Sequence, residues 1–243
     1  METLTIFGVR AILEALKAGK AVDKVWLLKG LKSKLHEQLL HKLRTHNIAF
    51  SFVPVERLER FATKNHQGAV ARIAAIQTQE AESLIEEVLK KNKTPLFVLL
   101  DGITDTRNFG AILRSAAAVD ADAIFIPSSG SAPLNGDVVK TSAGGAFKVP
   151  IGKSMHLKDV VYLLKAHNIP TLALTEKARE TIYKKNLQGP IAVVFGAEDT
   201  GISTGLLKIL EDSAKLPMQN EMDSLNVSVA CGILFYEIIR QRS

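Results

Sequence analysis

Cysteine is almost absent from this chain of 243 residues, in which Cys231 is the only one. A single cysteine excludes an intramolecular disulfide and any zinc site built from several thiolates. Because Cys231 lies in an apolar run, a small buried core residue is favoured over a reactive thiol. The lack of disulfides fits a reducing compartment, and we expect a cytoplasmic protein.

Long hydrophobic runs are also missing. No stretch of eighteen apolar residues occurs, so no transmembrane helix is predicted. The start of the chain lacks the basic residues, apolar block and small-residue cleavage site of a secretory signal. Hydrophobic residues nevertheless make up 47% of the chain and charged residues 23%, which is typical of a folded globular protein.

The common nucleotide, hydrolase and metal signatures are absent as well. No GxGxxG follows a predicted strand, and neither a Walker-type phosphate loop nor a GxSxG elbow occurs. The six histidines form no HExxH or other short ligand cluster, so no metal site is predicted. An NAD-type α/β enzyme remains as an alternative that a cofactor titration would test.

The net charge of +6 is concentrated in the first third of the chain. Residues 1–76 contain thirteen basic and six acidic side chains, residues 77–93 three and four, and residues 94–243 fifteen of each. A basic module beside a neutral one indicates a polyanion-binding part joined to a part with another task. A basic surface that only aids solubility explains the charge equally well.

The first 76 residues alternate between helical and strand patterns. The patterns predict helices over 7–19, 32–47 and 54–63, and strands over 22–28, 48–53 and 68–76. Residues 77–93 are polar with few apolar anchors, and we interpret them as a linker with some helix. The aromatic residues Phe7, Trp26, Phe50, Phe52 and Phe61 mostly lie in apolar patterns, so core packing is expected for them rather than base stacking.

Residues 94–243 alternate short apolar strands with helices. Strands are predicted over 96–100, 123–127, 170–175, 190–196 and 214–218. Helices are predicted over 108–121, 136–143, 156–167, 203–211 and 225–242. Such alternation predicts an α/β fold with a parallel sheet covered on both faces, whose ligands bind outside the carboxyl ends of the strands.

The first of three polar clusters is NFGAILR, residues 108–114. Asn108 is placed where it can cap a helix, and Arg114 lies among apolar neighbours. An arginine on an apolar helix either extends to the surface or forms a fixed fork for a phosphate or ribose oxygen. The residues alone leave both interpretations open.

The other two clusters also lie where a predicted strand meets a helix. FGAEDTGIS (195–203) contains Gly196 and Glu198 and, taken alone, fits an ordinary strand-to-helix turn. KLPMQNEMDSLNVSVACG (215–232) contains Ser224, which can cap the last helix, and Asn226. Polar side chains at the start of an apolar helix must find partners, either in the backbone or in a ligand.

Together and in this order, the three clusters resemble the signature motifs of the SpoU/TrmH family of RNA ribose methyltransferases. The first third resembles the family's substrate-binding domain, with FGVRAILEAL near the start and HQGAVA at 66–71. The resemblance covers nearly the whole chain and is closest to members that methylate a guanosine of 23S ribosomal RNA.

The resemblance implies the fold, reaction and partners. It implies an RNA substrate-binding domain over 1–76 and a SPOUT methyltransferase domain with a deep trefoil knot over 94–243. S-adenosyl-L-methionine would be the cofactor, and ribose 2′-O-methylation of RNA the reaction. Family members are homodimers with the C-terminal helix in the interface, so a homodimer is expected. The basic module would hold RNA through phosphates, with an affinity that falls as salt rises.

The resemblance also assigns site residues by motif match. The candidate catalytic residues are Arg114, Asn108, Glu198, Ser224 and Asn226. The candidate cofactor contacts are Thr141, Gly144, Gly196, Leu216, Met218, Ser224, Leu225 and Asn226. Because a guanidinium is a poor base, Arg114 is interpreted as an anchor for an RNA phosphate and a stabiliser of the forming alkoxide.

Two alternatives involve RNA without this exact reaction. A tRNA ribose methyltransferase of the same family would carry the same motifs, although the extra N-terminal module and its HQG segment favour ribosomal RNA. A non-catalytic RNA-binding or ribosome-assembly protein is disfavoured because all five polar motif residues are intact.

Overall fold

The computed structural model describes residues 2–61, 65–219 and 224–243. The strands are β1 (Thr3–Phe7), β2 (Val22–Leu28), β3 (Phe50–Val53), β4 (Ala69–Ala74), β5 (Gln79–Glu80), β6 (Leu96–Asp101), β7 (Ala123–Pro127), β8 (Ile151–Ser154), β9 (Thr171–Leu174), β10 (Ile191–Gly196) and β11 (Asp212–Ala214). The helices are α1 (Val9–Lys17), α2 (Lys34–Thr45), α3 (Val55–Glu59), α4 (Ala81–Lys91), α5 (Thr106–Ala118), α6 (Gly136–Thr141), α7 (Leu157–Ala166), α8 (Thr204–Leu207) and α9 (Val227–Arg242).

The chain divides into two compact units. The first comprises residues 1–76 and 133–148, and the second residues 77–132 and 149–243. The centre of the third polar cluster, 220–223, and the end of the helix predicted over 54–63 lie outside the described residues. In the described ranges, no helix combines the length and apolar character needed to span a bilayer.

The first unit is built on a four-stranded sheet in the order β1-β4-β2-β3. Strands β2 and β3 pair in parallel, whereas β4 is antiparallel to β1 and β2. Strand β2 has the predicted bounds. Strand β1 was not predicted, and its last residue, Phe7, was expected to begin a helix that instead starts at Val9. The alternating β-branched residues of Thr3–Phe7 suit a strand, and they pair along β4.

The aromatic side chains of this unit divide into buried and exposed sets. Phe7 and Trp26 are buried, as predicted, and pack in one core with Val70. The prediction of core packing is wrong for Phe52 and Phe61, which are 53% and 39% exposed. Phe52 lies on β3, an edge strand with a neighbouring strand on one side only, and the local apolar pattern does not show this.

Helix α6 packs on β1, although it follows β1 by more than a hundred residues in the chain. Gly136 allows this approach, because a Cβ there would lie 2.4 Å from the carbonyl oxygen of Thr5. The Lys140 ammonium donates to the carbonyl oxygen of Asn65 and lies 5.2 Å from the centroid of the Phe7 ring. The helix predicted over 136–143 therefore exists, and it belongs to the first unit.

The second unit is a seven-stranded sheet in the order β11-β9-β10-β6-β7-β8-β5. Every neighbouring pair is parallel, which confirms the predicted parallel sheet. Helices α4 and α7 pack on one face in a core that includes Phe97 and Phe125. Helix α9 packs on α5 and on the other face, where Phe235 contacts Phe195. The trefoil knot that the resemblance implies stays a prediction.

The segment 77–93 is part of this sheet unit, where we expected a linker. Strand β5 pairs with β8, and α4 buries Leu84, Ile85 and Val88 in the core. These three apolar residues lie on one helical face, but the charged residues around them make the helical pattern difficult to recognise in the sequence. Strand β8 was not predicted either.

Smaller differences occur near the end of the chain. Helix α8 spans Thr204–Leu207 and not 203–211, and β11 spans Asp212–Ala214 rather than 214–218. Cys231 is fully buried, which confirms the core assignment, and desolvation raises the pKa of its thiol.

Glu237 is a buried carboxylate near the end of α9, with 6% of its surface exposed. It accepts hydrogen bonds from the Arg240 guanidinium at 2.7 and 2.8 Å and from the Gln241 amide at 2.8 Å. The bonds from Arg240 and then Gln241 lower the pKa of Glu237 from its usual 4.5 to about 2. Because the pKa is lowered on folding, this stabilisation is complete above about pH 4.5 and is lost as the pH falls towards about 2.

Glu237→Gln is therefore expected to lower the free energy of unfolding by about 1.5–3 kcal/mol near neutral pH, and by progressively less in acid. Urea unfolding at about pH 7 and about pH 3 measures both values. Glu87→Gln is the control, since it removes an exposed carboxylate paired with Lys91 and should leave the free energy of unfolding nearly unchanged. A Glu237→Gln deficit that stays constant with pH would contradict this account.

Candidate active site

Asn226 joins the three polar clusters through a single side chain. Its Oδ1 accepts hydrogen bonds from the backbone N–H groups of Ser228 at 3.0 Å and Val229 at 3.4 Å, and so caps α9. Its Nδ2 donates to Oδ1 of Asn108 at 2.9 Å and to Oε1 of Glu198 at 2.5 Å. One amide therefore holds together the first turn of α5, the loop after β10 and the start of α9.

The structure thus brings three of the five predicted catalytic residues into contact. It also shows that two helices, α5 and α9, are capped by residues other than those predicted. Asp105 caps α5, because its Oδ1 accepts from the N–H of Arg107 at 2.7 Å. Asn108 lies inside the first turn, where its Oδ1 accepts a hydrogen bond from Nδ2 of Asn226. Asn226, not Ser224, caps α9, and Ser224 is exposed.

Arg114 lies on α5 with an exposed side chain. Within the described ranges it forms no hydrogen bond or ion pair, so its guanidinium is available to a ligand. The structure therefore does not bring Arg114 into the network of Asn226, and its role stays a prediction.

The loop that follows β10 is closely packed. Gly196 ends the strand, and a Cβ there would lie 2.1 Å from both the carbonyl carbon of Gly201 and the nitrogen of Ile202. Gly201 itself adopts φ +66°, a conformation that glycine tolerates best. At the end of β6, Asp101 accepts a hydrogen bond from the N–H of Ser203 at 2.8 Å and ties the loop to the neighbouring strand.

A cavity of about 290 Å³ opens at the carboxyl ends of β9 and β10. Its walls combine apolar side chains with the backbone of the loop after β10, and Glu198 contributes a carboxylate. Five predicted cofactor contacts line it, namely Gly196, Leu216, Met218, Ser224 and Leu225. Ligand binding at this end of the strands is the behaviour expected of a parallel α/β sheet.

The remaining predicted cofactor contacts do not line this cavity. Asn226 is bonded to Glu198, which does line it. Thr141 and Gly144 belong to the first unit, where Gly144 has φ +89° and a Cβ would lie 2.8 Å from Cβ of Glu14. Their assignment to the cofactor stays a prediction.

The segment after β9 was not predicted to be part of the site, although its residues Thr175, Glu176 and Lys177 line the same cavity. A signal was available, because adjacent parallel strands end at one edge of a sheet and the predicted strand 170–175 ends here. Among the described residues, no group of three or more histidine, cysteine or acidic side chains is arranged to hold a metal ion.

Comparisons with known proteins identify the family. The family described as SpoU rRNA Methylase matches residues 95–236, and the one described as RNA 2′-O ribose methyltransferase substrate binding matches residues 5–79. The 23S rRNA (guanosine-2′-O-)-methyltransferase RlmB of Haemophilus influenzae is 35% identical over 240 residues, which cover 98% of this chain and 97% of that protein.

Two solved structures share the fold over nearly the whole chain. A crystal structure of an RNA 2′-O ribose methyltransferase has a TM-score of 0.83 at 26% identity and covers 99% of this chain and 89% of that one. The SpoU methyltransferase AviRb from Streptomyces viridochromogenes, in complex with the cofactor AdoMet, has a TM-score of 0.82 at 22% identity and covers 99% and 90%. These matches confirm the predicted family resemblance and α/β fold, and the chain belongs to the SpoU rRNA methylase family.

Proposed function

We propose that this chain transfers a methyl group from S-adenosyl-L-methionine to a ribose 2′-hydroxyl of RNA, with a guanosine of 23S ribosomal RNA as the target. The observation that carries the proposal is the hydrogen-bonded trio of Asn108, Asn226 and Glu198, because it unites three sequence motifs of a methylase family at one cavity. A relative of nearly equal length that is named for this reaction supports the choice of RNA.

The cavity fits the chemistry of S-adenosyl-L-methionine. Leu216 and Leu225 provide apolar surface for a flat base, and Gly196 leaves the backbone accessible. The carboxylates of Glu176 and Glu198 suit a molecule that carries a sulfonium and an ammonium group. When bound, the cofactor supplies a methyl group that its sulfonium has already activated.

The side chains of the protein then act on the ribose. A hydroxyl is a weak nucleophile, so its attack is helped by stabilising the negative charge that develops on the oxygen. Arg114 is a permanent cation in an exposed position, and it anchors the adjacent RNA phosphate and stabilises the forming alkoxide. Asn108 and Glu198, held by Asn226, position the substrate, while Ser224 shapes the rim of the cavity.

Methyl transfer from labelled cofactor to a panel of purified RNAs tests this function. We expect label in 23S ribosomal RNA at the ribose of one guanosine, located by mapping the alkali-resistant linkage. Label confined to tRNA would instead favour a tRNA methyltransferase of the same family. Binding of RNA without transfer to either substrate would favour the non-catalytic alternative.

The active form that we propose is a cytoplasmic homodimer in which a second copy covers the exposed side of α9. Val229 and Tyr236 are 50% and 59% exposed, and they lie about two helical turns apart on that side. Tyr236→Glu is expected to halve the mass measured by sedimentation, because it would bury a charge in the interface. Tyr162→Glu, at a tyrosine of α7 that is 56% exposed, should leave the mass unchanged. A wild-type chain that sediments as a monomer would contradict the proposal.

A further inference from the structure

Phe61 presents an accessible aromatic ring in the first unit. The ring stacks on Trp26 with centroids 4.4 Å apart and an interplanar angle of 23°. Trp26 is only 6% exposed, whereas Phe61 is 39% exposed. Because one face of the Phe61 ring rests on Trp26, a ligand can reach the ring only from the opposite face or the edge.

Cationic side chains lie on the same side of the sheet as Trp26. Lys24 is two residues before Trp26 on β2, and it lies opposite Arg72 on β4. The Arg72 guanidinium is 5.9 Å from the centroid of the Trp26 ring. Its Nε donates to Asp23 at 2.6 Å, while its terminal nitrogens form no hydrogen bond within the described ranges. Arg72 can therefore bind a phosphate and keep its ion pair.

The composition of this surface suits a single-stranded nucleic acid. Sites for single strands combine cations that bind the backbone with aromatic rings on which bases stack. The unit that carries the surface has fifteen basic and seven acidic residues, a net charge of +8, over 1–76 and 133–148. Phe52 is also exposed, but it packs edge-on against Phe50 and has no cation over its ring among the described contacts.

We propose that an unpaired base of the RNA substrate stacks on the Phe61 ring, with a neighbouring phosphate on Arg72. This site rests on the proposed function, and it gives the first unit a role beyond electrostatic attraction. The unit then selects RNA that has an unstacked nucleotide, which a duplex does not offer.

The single tryptophan of the chain makes the site directly observable, because intrinsic tryptophan fluorescence reports on Trp26 alone. A short single-stranded oligoribonucleotide is expected to change this emission until saturation, and the duplex of the same sequence is not. Fluorescence anisotropy of the labelled oligonucleotide measures its affinity. Phe61→Leu keeps apolar bulk but removes the aromatic face, and it should weaken single-strand binding about 10-fold. Phe61→Tyr retains the ring and should bind like the wild type.

Phe52→Leu is the matched control, since it removes an exposed ring from the edge strand of the same sheet, and it should change affinity less than about twofold. Equal weakening by both leucine variants, or wild-type affinity in Phe61→Leu, would overturn the site. The wild-type methylation assay separates this result from the proposed function. If the wild type transfers methyl groups but Phe61→Leu binds the single strand normally, only the stacking site is refuted. If Phe61→Leu weakens binding but the wild type transfers no methyl group, the stacking site stands and the proposed function is refuted.

Discussion

Arg114→Ala is expected to reduce methyl transfer at least about 100-fold while S-adenosyl-L-methionine binds within about twofold of the wild-type affinity. Arg114 is exposed and without a hydrogen-bonding partner in the described ranges, so its loss leaves no buried group unpaired. The free energy of unfolding should therefore change by less than about 0.5 kcal/mol. Single-turnover transfer and calorimetric titration of the cofactor measure the two effects.

Two further variants separate the position of Arg114 from its charge. Arg107→Ala removes the same charge from the first turn of the same helix, and its loss of transfer should be smaller. Arg114→Lys keeps the charge but not the planar fork, and an intermediate rate is expected. Equal losses in Arg107→Ala and Arg114→Ala would show that helix α5 contributes only its net charge.

Asn226→Asp is the second change with a large expected effect. The aspartate still accepts hydrogen bonds from Ser228 and Val229, so the cap of α9 is retained. It loses both donated bonds and places a carboxylate against Glu198, where the present contact is 2.5 Å. We expect about 1–3 kcal/mol of lost stability and about 100-fold slower transfer, because the loops that carry the site separate.

The double variant Asn226→Asp with Glu198→Gln tests whether that contact is the cause. The glutamine amide can donate to the new aspartate, which restores the hydrogen bond with its polarity reversed. Unfolding in urea should show that the double variant regains at least half of the stability lost in Asn226→Asp. If the double variant is less stable than either single one, the Asn226–Glu198 bond does not explain the loss. Circular dichroism checks that the helix content is unchanged.

Sequence patterns predicted those elements whose boundaries are marked locally. Strands β2 and β7 have their predicted bounds, because each is a run of strand-forming residues that ends at polar or turn-forming ones. Strand β8 contains Gly152, and the space that a Cβ would occupy there is filled by the ring of Phe125, at 2.4 Å. That partner comes from another strand, so local pattern carries no information about it.

Part of the candidate site was predictable from the sequence, but its contacts were not. The order of three motifs nominated Asn108, Glu198 and Asn226, and the structure bonds them to one another. Asn226 uses its oxygen to cap α9 and its nitrogen to bond α5 and the loop after β10. These contacts depend on how three distant segments meet. Glu176 and Lys177 were not predicted as site residues because they belong to no recognised motif, and only their position after β9 brings them to the cavity.

The placement of residues 133–148 bears on how the chain folds during synthesis. The ribosome delivers residues 1–76 first, but the helix that packs on β1 emerges only after strand β7 has been made. Until then the surface of β1 that α6 covers has no partner, although residues 77–132 of the second unit have already been made. A nascent chain that ends before residue 148 would contain neither unit in full, so the first unit can be completed only after part of the second has been made.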